Sequence, residues 1–160
     1  MLVIHLIIAI KKYFMLRYII LTATFLIVFV NCLFSQQLVN TVNDLYKLNE
    51  NKQNFMNKPL NELLKEIKPA IKMVYGQSEE NTNLKHGYIR FKFVTRNEDQ
   101  SLKREGKMPP TLLVYVKERF TWDLQTRQNG KEFLWTNEDL VKYGNLTVID
   151  IRVYGDGSKK

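Results

Sequence analysis

Apolar residues first recur at helical intervals. Leu38, Val42, Leu45 and Leu48 follow one another at steps of four, three and three, with Asn43, Asp44 and Lys47 opposite, the pattern of a half-buried helix. The polar run "ENKQN" at 50–54 ends it. The stretch "KPLNELLKEIKPAIKMVYG" then carries the strongest helical periodicity of the chain. Pro59 suits a first turn, Leu60, Leu63, Leu64 and Ile67 form one stripe, and Ile71 and Val74 extend it. This predicts a helix over 59–75, kinked or divided at Pro69 and closed by Gly76 as a C-cap.

The period then changes from helical to two. After a polar loop at 77–86, "GYIRFKFV" alternates Ile89, Phe91 and Phe93 with Tyr88, Arg90 and Lys92. "TLLVYVKE" alternates Leu112, Val114 and Val116 with Leu113, Tyr115 and Lys117. "LTVIDIRVY" alternates Ile149, Ile151 and Val153 with Val148, Asp150, Arg152 and Tyr154. These are half-buried antiparallel strands, apolar on one face and polar on the other. The charged "NEDQSLKREGKMPP" between the first two reads as a mobile loop. Around Asn129-Gly130, a favoured hairpin pair, Phe120, Trp122 and Leu124 alternate and leave a fourth strand pair open. A last short helix begins at Thr136, with Asp139 in capping-box position, Trp135 and Leu140 placed as a hydrophobic staple, and Gly144 at its end.

The sum is an α+β domain: a small antiparallel sheet of three to five strands, covered on one face by the amphipathic helix and leaving the other face over. No internal repeat is present. The domain is expected to span 36–160 as one unit with an N-terminal helix.

What precedes it differs in character. Ile19 to Val30 is an apolar h-region of 12 residues after the basic "MLRY", the layout of a secretory signal spanning 15–35, with a cleavage junction at Ser35-Gln36 or after Cys32. Residues 1–14 place a second apolar stretch ahead of the charge, so we read them as an upstream extension and Met15 as the start. The competing readings are an uncleaved anchor over residues 18–34, lipidation at Cys32, and a buried core helix. An anchor needs ~20 apolar residues, more than the 17 from Tyr18 to Phe34. Asn31 before Cys32 fits lipidation poorly, and a core helix would show a polar face. The two foremost readings place the domain outside the cytoplasm: periplasm, cell surface or secreted, or membrane-anchored if the signal stays.

Charge sharpens this only slightly. The formal net charge of the 160 residues is +8, but three of the 24 basic residues (Lys11, Lys12, Arg17) lie in the first 35, which hold no acid. That leaves 21 basic against 16 acidic side chains downstream, a net +5. With export, so modest a surplus argues against nucleic acid.

Chemistry is sparse. Downstream of residue 36 there is one histidine, His86, and no cysteine, so a nucleophile triad has nowhere else to turn. No metal-ligand spacing and no glycine-rich phosphate loop occurs, and no cofactor is implied. Glu62 and Glu66 stand one helical turn apart, near a hydrolase carboxylate separation, but among Lys58, Lys65 and Lys68 on a polar face. One constellation stands out. The outward strand faces collect Tyr88, Tyr115 and Tyr154 with Arg90, Lys92, Lys117 and Arg152, opposed by Asp150 alone. Aromatic platforms between cations suit glycan rings or acidic segments, although such residues are also ordinary on a solvated sheet. The expected function is a non-catalytic binding or interaction module, with an envelope glycan or a protein as partner and the membrane too if 18–34 is retained. The rivals are a small envelope hydrolase using Glu62/Glu66 or His86, and a membrane-tethered structural protein.

Overall fold

The computed structural model describes residues 11–13, 15–18, 37–77, 86–122 and 124–155. The chain divides into two compact units, Met1–Gln36 and Gln37–Lys160. In the first, the described residues are helical. The apolar run from Ile19 to Val30, the Ser35-Gln36 junction, Cys32 and residues 1–10 lie outside the described residues, and with them the readings as signal, anchor, lipidation site and upstream extension. Among the described residues no helix is long and apolar enough to cross a membrane.

The second unit is α+β, built on a four-stranded antiparallel sheet in the order β1-β2-β3-β4, with β1 Met73–Gln77, β2 Gly87–Lys92, β3 Thr111–Val116 and β4 Val148–Tyr154. Neighbours in the chain are neighbours in the sheet, as expected when each connection returns the chain to the strand it has just left. Strand alternation sorts the residues onto two faces. Val74, Ile89, Phe91, Leu112, Val114 and Ile151 are fully buried on one. On the other, the pairing sets three rows: Met73–Lys92–Thr111–Tyr154, Tyr75–Arg90–Leu113–Arg152 and Gln77–Tyr88–Tyr115–Asp150. A register shift after Tyr115 pairs Asp150 and then Val148 with successive residues of β3, leaving Ile149 as the extra residue. This bulge resets the alternation, so Val148 is fully buried and Ile149 only half-buried, the reverse of the order the pattern predicts.

The helical periodicity before the sheet resolves into shorter pieces. The expected helix over 38–48 is a 3₁₀ turn, Val42–Asp44, followed by α1, Tyr46–Glu50, and a second 3₁₀ turn, Lys52–Asn54. Leu45 and Leu48 are still fully buried. The helix expected over 59–75 is α2, Leu60–Lys65, alone. Pro69 lacks the N–H that a continuing helix needs and turns Lys68 away from helical backbone. Before it, Ile67 forms a parallel bridge with Val39. Beyond it, the β-favouring "MVY" enters β1. Gly76 is therefore no helix cap but a strand residue, and Leu60 and Leu63 join the sheet residues in one buried cluster.

The charged segment between β2 and β3, expected as a mobile loop, contains α3, Arg96–Arg104. Its ends explain it. Thr95 and Glu98 exchange a capping box, with Glu98 Oε2 accepting from the Thr95 N–H at 2.7 Å. Glu98 and Asp99 sit in the first turn and Lys103 and Arg104 in the last, complementing the helix dipole. At the exit Gly106 has φ +71°, the Gly106 N–H donates to Lys103 O and the Lys107 N–H to Leu102 O. That is a Schellman stop.

Between β3 and β4 the described residues form no further strand pair. Asn129-Gly130 makes a turn with Gly130 at φ +80°, but no ladder grows from it. The segment instead folds against the sheet. The Phe133 carbonyl accepts from the Val74 N–H on the free edge of β1 at 2.7 Å, and Trp122 and Phe120 pack so close over Gly76 and Gly87 that a β-carbon at either glycine would collide with the ring. α4, Asn137–Tyr143, then starts on the Thr136–Asp139 capping box read from the sequence and is capped by Gly144. Tyr143 meets Phe120 edge-on and Trp122 at a tilt, and donates its hydroxyl to Thr121 O at 2.8 Å. Trp135 meets Phe91 edge-on, ring centroids 5.2 Å apart.

Candidate functional site

The polar face of the sheet gathers most of the side chains singled out in the sequence. Tyr88 and Tyr115 are direct cross-strand partners, their rings edge to face with centroids 6.0 Å apart. A guanidinium lies beside each: Arg90 is 5.6 Å from the Tyr88 centroid and Arg152 is 5.0 Å from that of Tyr115. Period-two alternation brings Arg90 and Tyr88 to the same face, and the register brings Arg152 within reach of Tyr115. Asp150 is shared between Lys52 at 3.1 Å and Arg152 at 3.0 Å. Burial is the largest influence on its carboxyl and pushes it up, but the hydrogen bonds from Lys52 and Arg152 prevail and hold it below the usual range. Tyr88 donates its hydroxyl to Gln77. Tyr154 stands exposed at the β4 end.

Two of the expected site residues are placed differently. Lys92 does point to this face, but α3 lies over it and leaves it buried. Its Nζ meets Asp99 Oδ1 at 2.5 Å, while Lys103 meets Asp99 Oδ2 at 2.8 Å. Burial pushes the Asp99 carboxyl up more strongly than any other single influence, yet the hydrogen bonds from Lys103 and Lys92 together hold it below its ordinary value. Lys117 lies beyond the end of β3, outside the three paired rows, where its N–H donates to Thr147 O.

Where α3 and the 107–110 segment meet the sheet they leave a groove of about 330 Å³. Arg90, Lys92, Lys103, Thr111, Leu113 and Tyr154 line it, together with Met108 and Pro109. The sequence reading missed Lys103, Thr111 and Asp99. The signals for them were Thr95-x-x-Glu98 as a start, Glu105-Gly106 as a stop, and the Asp99/Lys103 spacing of four.

The residues of the catalytic alternative are not assembled. Glu66 Oε2 accepts the Leu38 N–H at 3.0 Å, and Glu62 lies 4.0 Å from Lys58 on the exposed side of α2. His86 is exposed immediately before β2. Two further cavities border α4. One, of about 460 Å³, is apolar along Leu64, Ile67, Ile71 and Trp135. The other, of about 380 Å³, is polar and includes Arg127 and Asp139, which pair with each other while the guanidinium stacks 4.1 Å from the Trp122 ring centroid. Among the described residues no three His, Cys, Asp or Glu side chains lie together as a metal site. Comparison with family models, curated proteins and solved structures gives no match.

Proposed function

We propose that residues 36–160 form a non-catalytic binding module whose site is the polar face of the sheet, that its ligand is an envelope glycan, and that it acts outside the cytoplasm behind a leader at 15–35. The observation that carries this reading is the Tyr88–Tyr115 pair flanked by Arg90 and Arg152. Sugar rings present flat C–H faces to aromatic rings, and guanidinium groups supply forked donors to hydroxyls and acid groups. The opposite face carries apolar side chains that share one buried core with Leu60 and Leu63 of α2, Leu45, Leu48 and Tyr143, and among the described residues it offers no comparable set of aromatic rings between guanidinium groups. The short spacing of Arg90 and Tyr88 on one strand, about 7 Å, matches aromatic platform and cation to a single bound unit.

The decisive test is retention of the full-length chain on isolated cell-envelope glycan. The double variant Tyr115→Ala/Arg90→Ala should abolish retention, and undiminished retention would sink the binding-face reading. Fractionation with N-terminal sequencing tests export: a chain that starts at Met1 and stays in the cytosol overturns it. A hydrolase would instead lose measured turnover when His86, or Glu62 with Glu66, is replaced.

A further inference from the structure

We infer that the groove between α3 and the sheet is an oxyanion subsite, which takes the carboxylate or phosphate group of an acidic sugar; this rests on the glycan reading of the adjoining face. Among the described residues, three cations, Arg90, Lys92 and Lys103, line the groove, and no carboxylate does. The described acid that meets these lysines is Asp99, and both of its oxygens are already taken, one by Lys92 and one by Lys103. One carboxylate offsets one of the three charges, so the described residues leave the groove a surplus of about two. Arg90 faces no carboxylate among the described residues and keeps its donors for a ligand.

Asp99 also organises the site. By holding both lysine ammonium groups, it fixes two long side chains that would otherwise lose rotamer freedom when a ligand binds. Leu113, Met108 and Pro109 add apolar lining, and charge–charge attraction is stronger beside apolar surface than in open water. Gly155 closes the β4 end. It has φ +80°, and a β-carbon there would lie 2.5 Å from the carbonyl oxygens of Met108 and Pro109, so the strand end and the 107–110 segment are packed against each other. A groove of about 330 Å³ lies at the small end of the ~300–1,000 Å³ typical of ligand clefts. That is room for one unit, with Tyr154 at the rim and the Tyr88–Tyr115 platform two residues further along β2 and β3.

The test uses the full-length chain in neutral detergent at physiological ionic strength, where the Debye length of ~8 Å suppresses diffuse attraction. The probes are trigalacturonate for a carboxylate, glucose 6-phosphate for a phosphate, and neutral maltotriose. At least one acidic probe should bind about tenfold or more tighter than maltotriose and shift the Thr111 and Leu113 amide resonances; which of the two does so names the acid. Lys103→Gln, at an exposed position, should erase that preference, a loss of about tenfold for one charge-assisted hydrogen bond. Acidic probes that bind no tighter than maltotriose, or a preference that survives Lys103→Gln, overturn the subsite. If maltotriose shifts Tyr88 and Tyr115 while neither acidic probe reaches Thr111, the groove proposal falls and the sheet-face reading stands. If the acidic probes bind at Thr111 and no probe touches the tyrosines, the subsite stands and the face reading falls.

Discussion

The Asp99 carboxylate reaches from α3 to the Lys92 ammonium on β2, Oδ1 to Nζ 2.5 Å, and each side chain is only 8% exposed. A pair this buried is costly to break from one side, because the group left behind keeps its desolvation penalty and loses its partner. Asp99→Ala should therefore lower unfolding stability by about 3–5 kcal/mol, read as a drop in the urea midpoint. Lys92→Met combined with Asp99→Leu removes both charges and should return most of that loss. A single variant that costs under ~1 kcal/mol would mean that water reaches the pair.

Acid should weaken the domain, and three of its lowered carboxylates are buried or partly buried. Asp99, Glu118 and Asp150 are each pushed up by burial, yet held below their ordinary values by hydrogen bonds: from Lys103 and Lys92, from Thr147, and from Lys52 and Arg152 respectively. A carboxyl lowered in the folded state binds its proton more readily once unfolded, so its contribution is complete above the ordinary carboxylate range and drains away as pH falls through it. Thermal midpoints should be level from pH 7 to about 5 and decline steadily below that. Glu118→Gln should lower the plateau and shallow the decline, since the Thr147 N–H then donates to a neutral oxygen. A midpoint that climbs on acidification would contradict all three assignments.

Gly76 and Trp122 lock the free edge of the sheet. A β-carbon on Gly76 would stand 2.4 Å from the indole Cδ2, so Gly76→Ala must displace a ring that is itself pinned by Arg127 and Tyr143. The expected cost is ~1–3 kcal/mol, the range for overpacking. Trp122→Leu in the same chain should recover part of it, since the shorter side chain leaves room. Independent, additive losses would show that the two do not meet.

These contacts mark what could be read in advance. The alternation of β2, β3 and β4 was legible because each strand has one apolar and one polar face, and the Tyr88/Arg90/Tyr115/Arg152 grouping follows from that alternation plus register. The start of α4 was legible from Thr136 and Asp139. β1 was not, because Ile71 and Val74 happen to continue the 3.6-residue period of Leu60 and Leu63 across Pro69, and the proline outweighed the period. α3 was hidden for the opposite reason. It has almost no apolar stripe, and its stability rests on caps and the Asp99 ion pairs rather than on a hydrophobic face. The burial of Lys92 was invisible as long as the segment above it was read as a loop. No local pattern announces the bulge at Ile149.

The capping of α3 yields the last prediction. A helix of nine residues with so little apolar surface depends on its ends. Thr95→Ala removes the acceptor for the Glu98 N–H and should cost ~1 kcal/mol. Gly106→Ala meets no atom within 4 Å, so its cost is the left-handed backbone alone, again about 1 kcal/mol. Because the two sites lie at opposite ends of one short helix, the double variant should fray it from both sides. Amide exchange from Gln100 to Arg104 should accelerate several-fold, while the central strands β2 and β3 exchange as before. Since α3 carries both Asp99 and Lys103, its fraying should also release Lys92 to solvent, which faster acylation of that lysine by a water-soluble reagent would register. Exchange that stays slow in α3 with both caps removed would show that the Lys92–Asp99–Lys103 bridge, and not the caps, holds the helix on the sheet.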